Sequence, residues 1–309
     1  MVRSFLAFLL AAVLLLSAGC GKAENDTMEN YRKTVHESKY IIHALGGMDD
    51  DFYINSVDCL ETVYAAGYRI FEVDVSFTSD DVLVLAHSGE KNIWSRNDWT
   101  LRFGQEYPFE DAEGNALTPE EENRLIEDGY DVEKHLCPAS VFTGFKIQGK
   151  YKASTFSDLL DFMEAHEDMY VMLDAGKRSY EDTCIYYKRI VEEAGKREDV
   201  LDRFIAGGQT TEMLRAAKEA YDFPLLNLYY DVDEEREESI YRPEDFIKYC
   251  KEQGVTSFSA STEAYSEDAA KELSKSGLIS YIFTINDPDE EEKIRSLGAD
   301  MIGTDFLWK

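Results

Sequence analysis

Hydrophobic residues follow two alternating patterns along most of the chain. Short apolar runs rich in β-branched and aromatic residues are typical of buried strands, and the longer segments between them have the apolar spacing of amphipathic helices. The pattern predicts strands over residues 40–46, 69–76, 169–174, 203–207, 225–229, 257–260, 279–285 and 301–304. It predicts helices over residues 57–67, 156–166, 180–194, 211–221, 243–253 and 267–274, and a seventh that starts at Pro288. Eight strands that alternate with helices predict an α/β fold, a TIM-type (β/α)8 barrel.

The second predicted strand has two chemically different faces. Apolar side chains alternate with two carboxylates, Glu72 and Asp74, along this strand. In a barrel, one face of each strand packs under the helices and the other points towards the barrel axis, so both carboxylates are expected to point inward. Two converging carboxylates repel each other unless a cation, a proton or a basic group neutralises them. The strand therefore predicts a metal site.

Residues 88–153 interrupt the alternation after the second strand and its extended continuation, residues 82–87. This stretch contains Trp94, Trp99, acidic runs and scattered glycine and proline. We interpret it as a lobe inserted over one end of the barrel. The barrel with its insertion is predicted to occupy residues 39–309.

The amino terminus has the pattern of a targeting segment. Arg3 precedes an apolar run at residues 5–16, which is too short for a comfortable membrane span. Ser-Ala-Gly then precedes Cys20, which resembles the cleavage site of bacterial lipoproteins. We expect a signal peptide over residues 1–19, an acylated Cys20 and a polar tether over residues 20–38, so that the protein is anchored outside the cytoplasm on a bacterial cell membrane. An ordinary cleaved signal with an incidental cysteine is the alternative.

The charge of the chain restricts its partners. There are 62 acidic and 32 basic side chains, a formal net charge of −30. Such a charge argues against nucleic acid and against adhesion to anionic lipid, but it attracts divalent cations. An anionic substrate would need locally concentrated positive charge. The cysteines beyond Cys20 are widely spaced without a CxxC pair, so neither a zinc site nor a disulfide framework is predicted.

Candidate functional side chains gather where the predicted strands end. They are His43, Glu72, Asp74, His87 and Asp174. Functional groups of a (β/α)8 barrel lie at the carboxyl ends of its strands. The chain has five histidines, and two of them fall at such ends beside three carboxylates. This combination favours a catalytic site over a structural role for the two imidazoles.

These residues resemble the glycerophosphodiester phosphodiesterase family, within the superfamily of barrels similar to phosphatidylinositol-specific phospholipase C. The resemblance covers roughly residues 40–308 and is carried by His43-Ala-Leu-Gly, Glu72-Val-Asp74, His87, Phe283-Thr-Ile-Asn286 and Thr304-Asp305. It implies a barrel that hydrolyses phosphodiesters, in which Glu72 and Asp74 hold a divalent metal and His43 and His87 act as acid and base.

The chain departs from the pattern of this family at several positions. The arginine that follows the first histidine is replaced by Ala44 and Leu45, and the glutamate of the Pro-Glu-Asn-Thr element is lost where the chain reads Tyr-Ile-Asn-Ser at residues 53–56. Asp174 takes the position of the third metal ligand, as aspartate does in related sphingomyelinase D-type barrels. Lys177 follows, and we expect it to bind the substrate phosphate through a bend at Gly176; a solvated lysine is the alternative.

The function expected from these residues is a metal-dependent phosphoric diester hydrolase that uses Ca²⁺ or Mg²⁺. The substrate would be a glycerophosphodiester or a related phospholipid headgroup diester. A phospholipid-cleaving barrel that is sphingomyelinase D-like or metal-independent is one alternative, and a non-catalytic binding lipoprotein on the same fold is another. Additional residues near strand ends line the pocket or are structural: Gln209, Tyr229, Thr284 and Asn286.

Overall fold

Eight parallel strands close into a barrel in the computed structural model of the chain. The structure describes residues 26–87, 118, 120, 123–124, 127–129, 137–144, 146–147, 149–176, 178–232, 240 and 242–309. The predicted signal peptide, Cys20, Lys177 and most of the predicted inserted lobe lie outside the described residues.

The barrel strands follow one another in chain order around the sheet. They are β1 (Tyr40–Ile42), β2 (Ile70–Phe77), β6 (Tyr170–Asp174), β7 (Phe204–Gly208), β8 (Leu225–Tyr229), β9 (Ser257–Ser261), β10 (Ile279–Phe283) and β11 (Met301–Thr304). The barrel closes because β1 pairs in parallel with both β11 and β2. The predicted (β/α)8 barrel is therefore confirmed. A short strand, β3 (Leu83–Leu85), pairs antiparallel with the outer part of β2.

Helices lie between the strands, as the apolar spacing predicts. The described helices are α1 (residues 26–38), α2 (Val57–Ala65), α3 (Ala139–Phe142), α4 (Phe156–Ala165), α5 (Tyr180–Ala194), α6 (Glu198–Leu201), α7 (Thr211–Ala220), α8 (Pro243–Gln253), α9 (Glu267–Leu273) and α10 (Pro288–Ser296). The predicted start of α10 is confirmed, because the Asp287 side chain accepts hydrogen bonds from the backbone of Asp289 and Glu290 with proline in the first turn. None of these helices is long and apolar enough to span a bilayer.

The first strand is shorter than predicted. β1 ends at Ile42, and His43–Leu45 forms a 3₁₀ turn in which Ala44 adopts φ 47°, outside the range of a strand. This turn directs the backbone N–H of Ala44 towards the carboxylate of Glu72, at 2.8 Å. The strand thus ends where the chain contacts a residue 28 positions further on, and the hydrophobic pattern does not contain this information.

Helix α1 closes the amino end of the barrel. Tyr31 and Val35, one helical turn apart, are buried against residues that begin barrel strands, including Ile70, Tyr170 and Met301. The rings of Tyr31 and Tyr170 lie 5.1 Å apart. Residues 26–38 thus differ from the polar tether expected over 20–38: most of the segment is polar, but its apolar residues Met28, Tyr31 and Val35 pack against the amino end of the barrel.

The described part of the predicted insertion joins the main body of the molecule. Besides α3, it contains the hairpin of β4 (Lys146–Ile147) and β5 (Tyr151–Lys152). Phe142, Ile147 and Tyr151 belong to the same buried cluster as the apolar face of β2. The four described cysteines are free, as the spacing predicted.

Candidate active site at the carboxyl end of the barrel

Three carboxylates converge at the carboxyl ends of β2 and β6. Asp74 and Asp174 are direct neighbours in the strand register, and Glu72 lies one inward position before Asp74. One oxygen atom from each of the three lies within 4.8 Å of the others. Glu72 and Asp74 are buried, with 4% and 5% of their surfaces exposed. The inward phase read from the alternation in the sequence thus brings these side chains together.

Burial and repulsion within this centre affect the pKa values of Glu72 and Asp174. Burial and the charge of Asp74 raise the pKa of Glu72 to about 8, and the same two causes raise the pKa of Asp174. A cation among the three would reverse these shifts, since an opposite charge favours the ionised form. Oxygen ligands without sulfur or imidazole suit hard cations such as Ca²⁺ and Mg²⁺. The donor set therefore fits the divalent cation that the sequence predicts.

Each of these carboxylates accepts a hydrogen bond that orients it. The Ala44 N–H donates to Oε2 of Glu72 at 2.8 Å, and the Gly176 N–H donates to Oδ1 of Asp174 at 2.6 Å. Asn55 binds Asp74 twice: Nδ2 donates to Oδ2 at 2.8 Å, and Oδ1 accepts from the Asp74 backbone N–H at 3.0 Å. Sequence reasoning noted Asn55 as part of the Tyr-Ile-Asn-Ser element at residues 53–56 but missed this role.

The loop between β1 and α2 has an unusual backbone. Five of its non-glycine residues have positive φ: Ala44 (47°), Leu45 (62°), Asp49 (55°), Tyr53 (55°) and Asn55 (48°). L-residues other than asparagine and aspartate seldom adopt this region. Such residues persist where surrounding contacts hold them, and they cluster at functional sites. This loop contributes the Ala44 and Asn55 groups that bind the carboxylates.

His43 is held against two acidic groups. Its Nδ1–H donates to Oδ1 of Asp305 at 2.8 Å, and its Nε2 lies 3.9 Å from Oε2 of Glu72. Burial disfavours the imidazolium, but the hydrogen bond to Asp305 and the charge of Glu72 outweigh this effect and raise the pKa of His43 to about 9. Nε2 is therefore the nitrogen that faces the carboxylate centre.

Asp305 is itself positioned by Asn286. The Asn286 Nδ2 donates to Oδ2 of Asp305 at 2.8 Å, while its Oδ1 accepts from the Asp305 N–H and the Thr304 hydroxyl, each at 2.9 Å. Sequence reasoning noted both residues as motif elements but gave Asp305 no role. The available signal was a carboxylate directly after the last barrel strand.

His87 is brought to the same site by the β2–β3 pairing. The Ala86 N–H donates to the carbonyl oxygen of Asp74 at 2.9 Å, so the next residue lies beside the carboxyl end of β2. An electrostatic interaction with His87 opposes the rise in the pKa of Asp174 that burial and Asp74 cause. The ring of Tyr53 contacts His43 at 4.7 Å and His87 at 5.7 Å between centroids. Both predicted histidines thus flank the carboxylate centre.

A positively charged side chain that the sequence analysis missed, Arg178, lies near the end of β2. The Arg178 guanidinium donates from Nη2 to the Val75 carbonyl oxygen at 3.0 Å and lies over the ring of Tyr186, 4.6 Å from its centroid. Its charge also opposes the rise in the pKa of Asp174. The predicted cation of this turn, Lys177, lies outside the described residues.

A cavity opens above the carboxylates of Glu72 and Asp174. One wall is aromatic and is formed by Tyr229, Tyr281 and Phe283, and another contains Asn227, whose Nδ2 donates to the Ser259 hydroxyl at 2.9 Å. The candidates Gln209 and Tyr229 line this cavity, whereas Asn286 instead holds Asp305 and Thr284 is exposed. Sequence reasoning missed the roles of Tyr281, Asn227 and Ser259 because their strands show no polar signal as clear as that of β2.

The barrel, the three carboxylates and the flanking imidazoles together define a (β/α)8-barrel phosphodiesterase. The chain belongs to the glycerophosphoryl diester phosphodiesterase family, of which the family model matches residues 47–309. It is accordingly a phosphoric diester hydrolase of the glycerophosphodiester type. A search of curated protein sequences finds no match.

Solved structures show the same fold. A glycerophosphodiester phosphodiesterase from Parabacteroides distasonis has 17% identity and a TM-score of 0.59 over 87% of this chain and 93% of its own. A glycerophosphodiester phosphodiesterase from Thermotoga maritima has 16% identity and a TM-score of 0.52 over 86% and 94%. An Oleispira antarctica phosphodiesterase, solved with sn-glycerol-3-phosphate, has 12% identity and a TM-score of 0.56 over 87% and 94%.

Proposed function

We propose that the protein hydrolyses glycerophosphodiesters in a reaction that depends on Ca²⁺ or Mg²⁺ held by Glu72, Asp74 and Asp174. The observation that supports this most directly is the convergence of three carboxylates within 4.8 Å at the mouth of the barrel. A divalent cation bound there would polarise the phosphoryl group and stabilise the negative charge that develops during the reaction. Without a bound cation, the three carboxylates would repel one another.

His43 and His87 would act as general acid and base. One imidazole removes a proton from the attacking hydroxyl, and the other protonates the departing alcohol oxygen as its bond to phosphorus breaks. The attacking group is water or a neighbouring hydroxyl of the substrate. For His43 the acting atom is Nε2, since Nδ1 donates to Asp305, which keeps the ring in one orientation and tautomer.

The substrate would be a small glycerophosphodiester. The Oleispira antarctica relative was solved with sn-glycerol-3-phosphate, which such a hydrolysis would yield. Asn227 and Ser259, which line the cavity above the carboxylates, would serve as polar partners for hydroxyl groups of the substrate. Lys177 would add a cation for the phosphate, and Lys177→Met is then expected to lower kcat/KM at least tenfold, about 1.4 kcal/mol.

An assay with a chelator tests the proposed function. Glycerophosphodiesters, lysophospholipids and bis-p-nitrophenyl phosphate are supplied to the protein before and after treatment with EDTA, and then with Ca²⁺ or Mg²⁺ restored. We expect hydrolysis of glycerophosphodiesters to vanish with EDTA and to return with the cation. Glu72→Gln should be inactive under all conditions, whereas Glu61→Gln, at an exposed position of α2, should behave as the parent protein. Full activity of a rigorously metal-free preparation would exclude the metal.

We also propose that Cys20 is acylated and anchors the protein outside the cytoplasm. The support is the apolar run at residues 5–16 followed by Ser-Ala-Gly before the cysteine. In bacteria that express the full chain, labelled fatty acid should be incorporated and the protein should fractionate with membranes. Cys20→Ala should lose both properties, and an unlabelled, soluble parent protein would refute the anchor.

A further inference from the structure

Tyr53 lies between the two imidazoles of the site. Its ring contacts His43 at 4.7 Å and 78° and His87 at 5.7 Å and 66°, so that both contacts are edge-on. Edge-on arrangements of this kind are favourable between aromatic rings. A single side chain therefore contacts both histidines that flank the carboxylate centre.

The conformation of Tyr53 is unusual for a residue that only fills space. Its φ of 55° is in the left-handed region, which is unfavourable for a bulky L-residue. The ring is half-buried. The surrounding loop therefore holds Tyr53 at the site in a backbone conformation that tyrosine disfavours.

The hydroxyl of Tyr53 makes no hydrogen bond with the described residues, unlike those of two buried tyrosines nearby. The Tyr186 hydroxyl donates to the Asp174 carbonyl oxygen at 3.3 Å, and the Tyr187 hydroxyl donates to that of Gly207 at 2.5 Å. Tyr186 and Tyr187 are buried, whereas Tyr53 is partly exposed at the site. The Tyr53 hydroxyl therefore retains its donor for a bound molecule.

The Tyr53 hydroxyl is protonated at neutral pH, since tyrosine ordinarily titrates near 10. Burial and then the carboxylates of Asp74, Glu72, Asp305 and Asp174 raise the pKa of Tyr53 to about 12. Phosphoryl oxygens only accept hydrogen bonds, so a phosphodiester at this site requires donors. The position where the resembling family has an arginine is occupied here by Ala44, whose side chain offers no donor.

We infer that the Tyr53 hydroxyl donates a hydrogen bond to a non-bridging phosphoryl oxygen of the substrate, while the Tyr53 ring holds the imidazoles of His43 and His87 at their separation. The hydroxyl is thus a binding group, and the ring positions the two histidines. This inference rests on the proposed function, since it needs a phosphodiester bound beside the carboxylate centre.

Two substitutions separate the hydroxyl from the ring. Tyr53→Phe removes only the donor, so KM for a glycerophosphodiester should rise roughly tenfold or more while kcat stays near its original value, as expected when a hydrogen bond to a charged group is lost. Tyr53→Leu removes the ring as well, so kcat should also fall about tenfold or more. Tyr221→Phe, which deletes a hydroxyl bound to Asp202 before β8, is the matched control and should change neither parameter.

Calorimetric binding of inorganic phosphate to the cation-loaded protein provides a second measurement. Tyr53→Phe should weaken phosphate binding by about the factor by which KM rises. An unchanged KM and phosphate affinity in Tyr53→Phe would overturn the role of the hydroxyl, and equal kcat values for Tyr53→Leu and Tyr53→Phe would overturn the role of the ring. If the parent protein binds phosphate but hydrolyses no diester, the proposed function fails, and the calorimetric comparison still decides the role of the hydroxyl. Tyr53→Phe keeps the ring, so the test survives if Tyr53→Leu does not fold.

Discussion

The Nδ1 atom of His43 lies 2.8 Å from Oδ1 of Asp305, although 262 positions of the chain separate the two residues. The contact exists because β1 and β11 are neighbours where the barrel closes, which brings the end of the last strand beside the end of the first. Asp305 is 3% exposed and is held in turn by Asn286. A buried carboxylate in this position fixes which imidazole nitrogen faces the carboxylate centre.

Asp305→Asn should therefore abolish most of the activity without unfolding the protein. The amide removes the negative charge and presents a group that no longer favours a proton on Nδ1 of His43, so the imidazole adopts the wrong tautomer. We expect kcat to fall on the order of 10²–10⁴. Steady-state kinetics and a melting curve measure the two effects, and Asp300→Asn, at the opposite end of the barrel, serves as control. A kcat within threefold of the parent value would contradict the role of Asp305.

Cation binding should stabilise the fold. Ca²⁺ or Mg²⁺ added to metal-free protein relieves the repulsion among Glu72, Asp74 and Asp174, and a cation at a hundred times its Kd contributes about 2.7 kcal/mol. Differential scanning calorimetry should show a rise in Tm that depends on cation concentration. Asp174→Asn should lose most of this rise and Glu61→Gln should keep it. A Tm that does not respond to either cation would rule out binding at this centre.

Asn55→Ala should reduce both stability and activity. The substitution deletes two hydrogen bonds to Asp74 at a position that is 0% exposed, and it places alanine at φ 48°. We expect a loss of about 1–3 kcal/mol in the free energy of unfolding, since Asp74 is left without these partners. Urea denaturation measures this loss, with Asn30→Ala on the exposed side of α1 as control. Equal stability of Asn55→Ala and the parent protein would show that Asp74 finds other partners.

Asp158 should make stability depend on pH in the acidic range. Burial opposes its ionisation, but hydrogen bonds from Lys152 and Thr155 outweigh burial and lower the pKa of Asp158. The folded state therefore binds its proton less readily than the unfolded chain, where aspartate titrates near 3.9, so the contribution is present above about pH 4 and is lost as the pH falls through the lower folded value.

The corresponding measurement compares the melting temperatures of Asp158→Asn and the parent protein. The variant should melt lower at pH 6, and the difference should shrink steadily below pH 4. Asp222→Asn, at an exposed position, should show no difference at either pH. A difference that persists unchanged in acid would mean that the charge of Asp158 does not stabilise the start of α4.

The sequence by itself determined the barrel and the core of the acidic centre. Strand and helix periods are local properties of the chain, so β8, β11, α5 and α8 have the bounds that the pattern predicted. The alternation along β2 placed Glu72 and Asp74 on the inward face for the same reason. The spacing of histidines and carboxylates at strand ends identified the end of the barrel at which they meet.

Only the tertiary structure decided which distant groups complete the site. The pairing of His43 with Asp305 depends on barrel closure, the binding of Asp74 by Asn55 depends on a loop with positive φ, and the position of Tyr53 depends on both. The sequence pattern likewise did not predict the packing of α1 against the amino end of the barrel, because Tyr31 and Val35 are among few apolar residues in a polar segment. These contacts join residues far apart in the chain. The local spacing of apolar residues does not indicate which surfaces are left open when the strands close into a barrel.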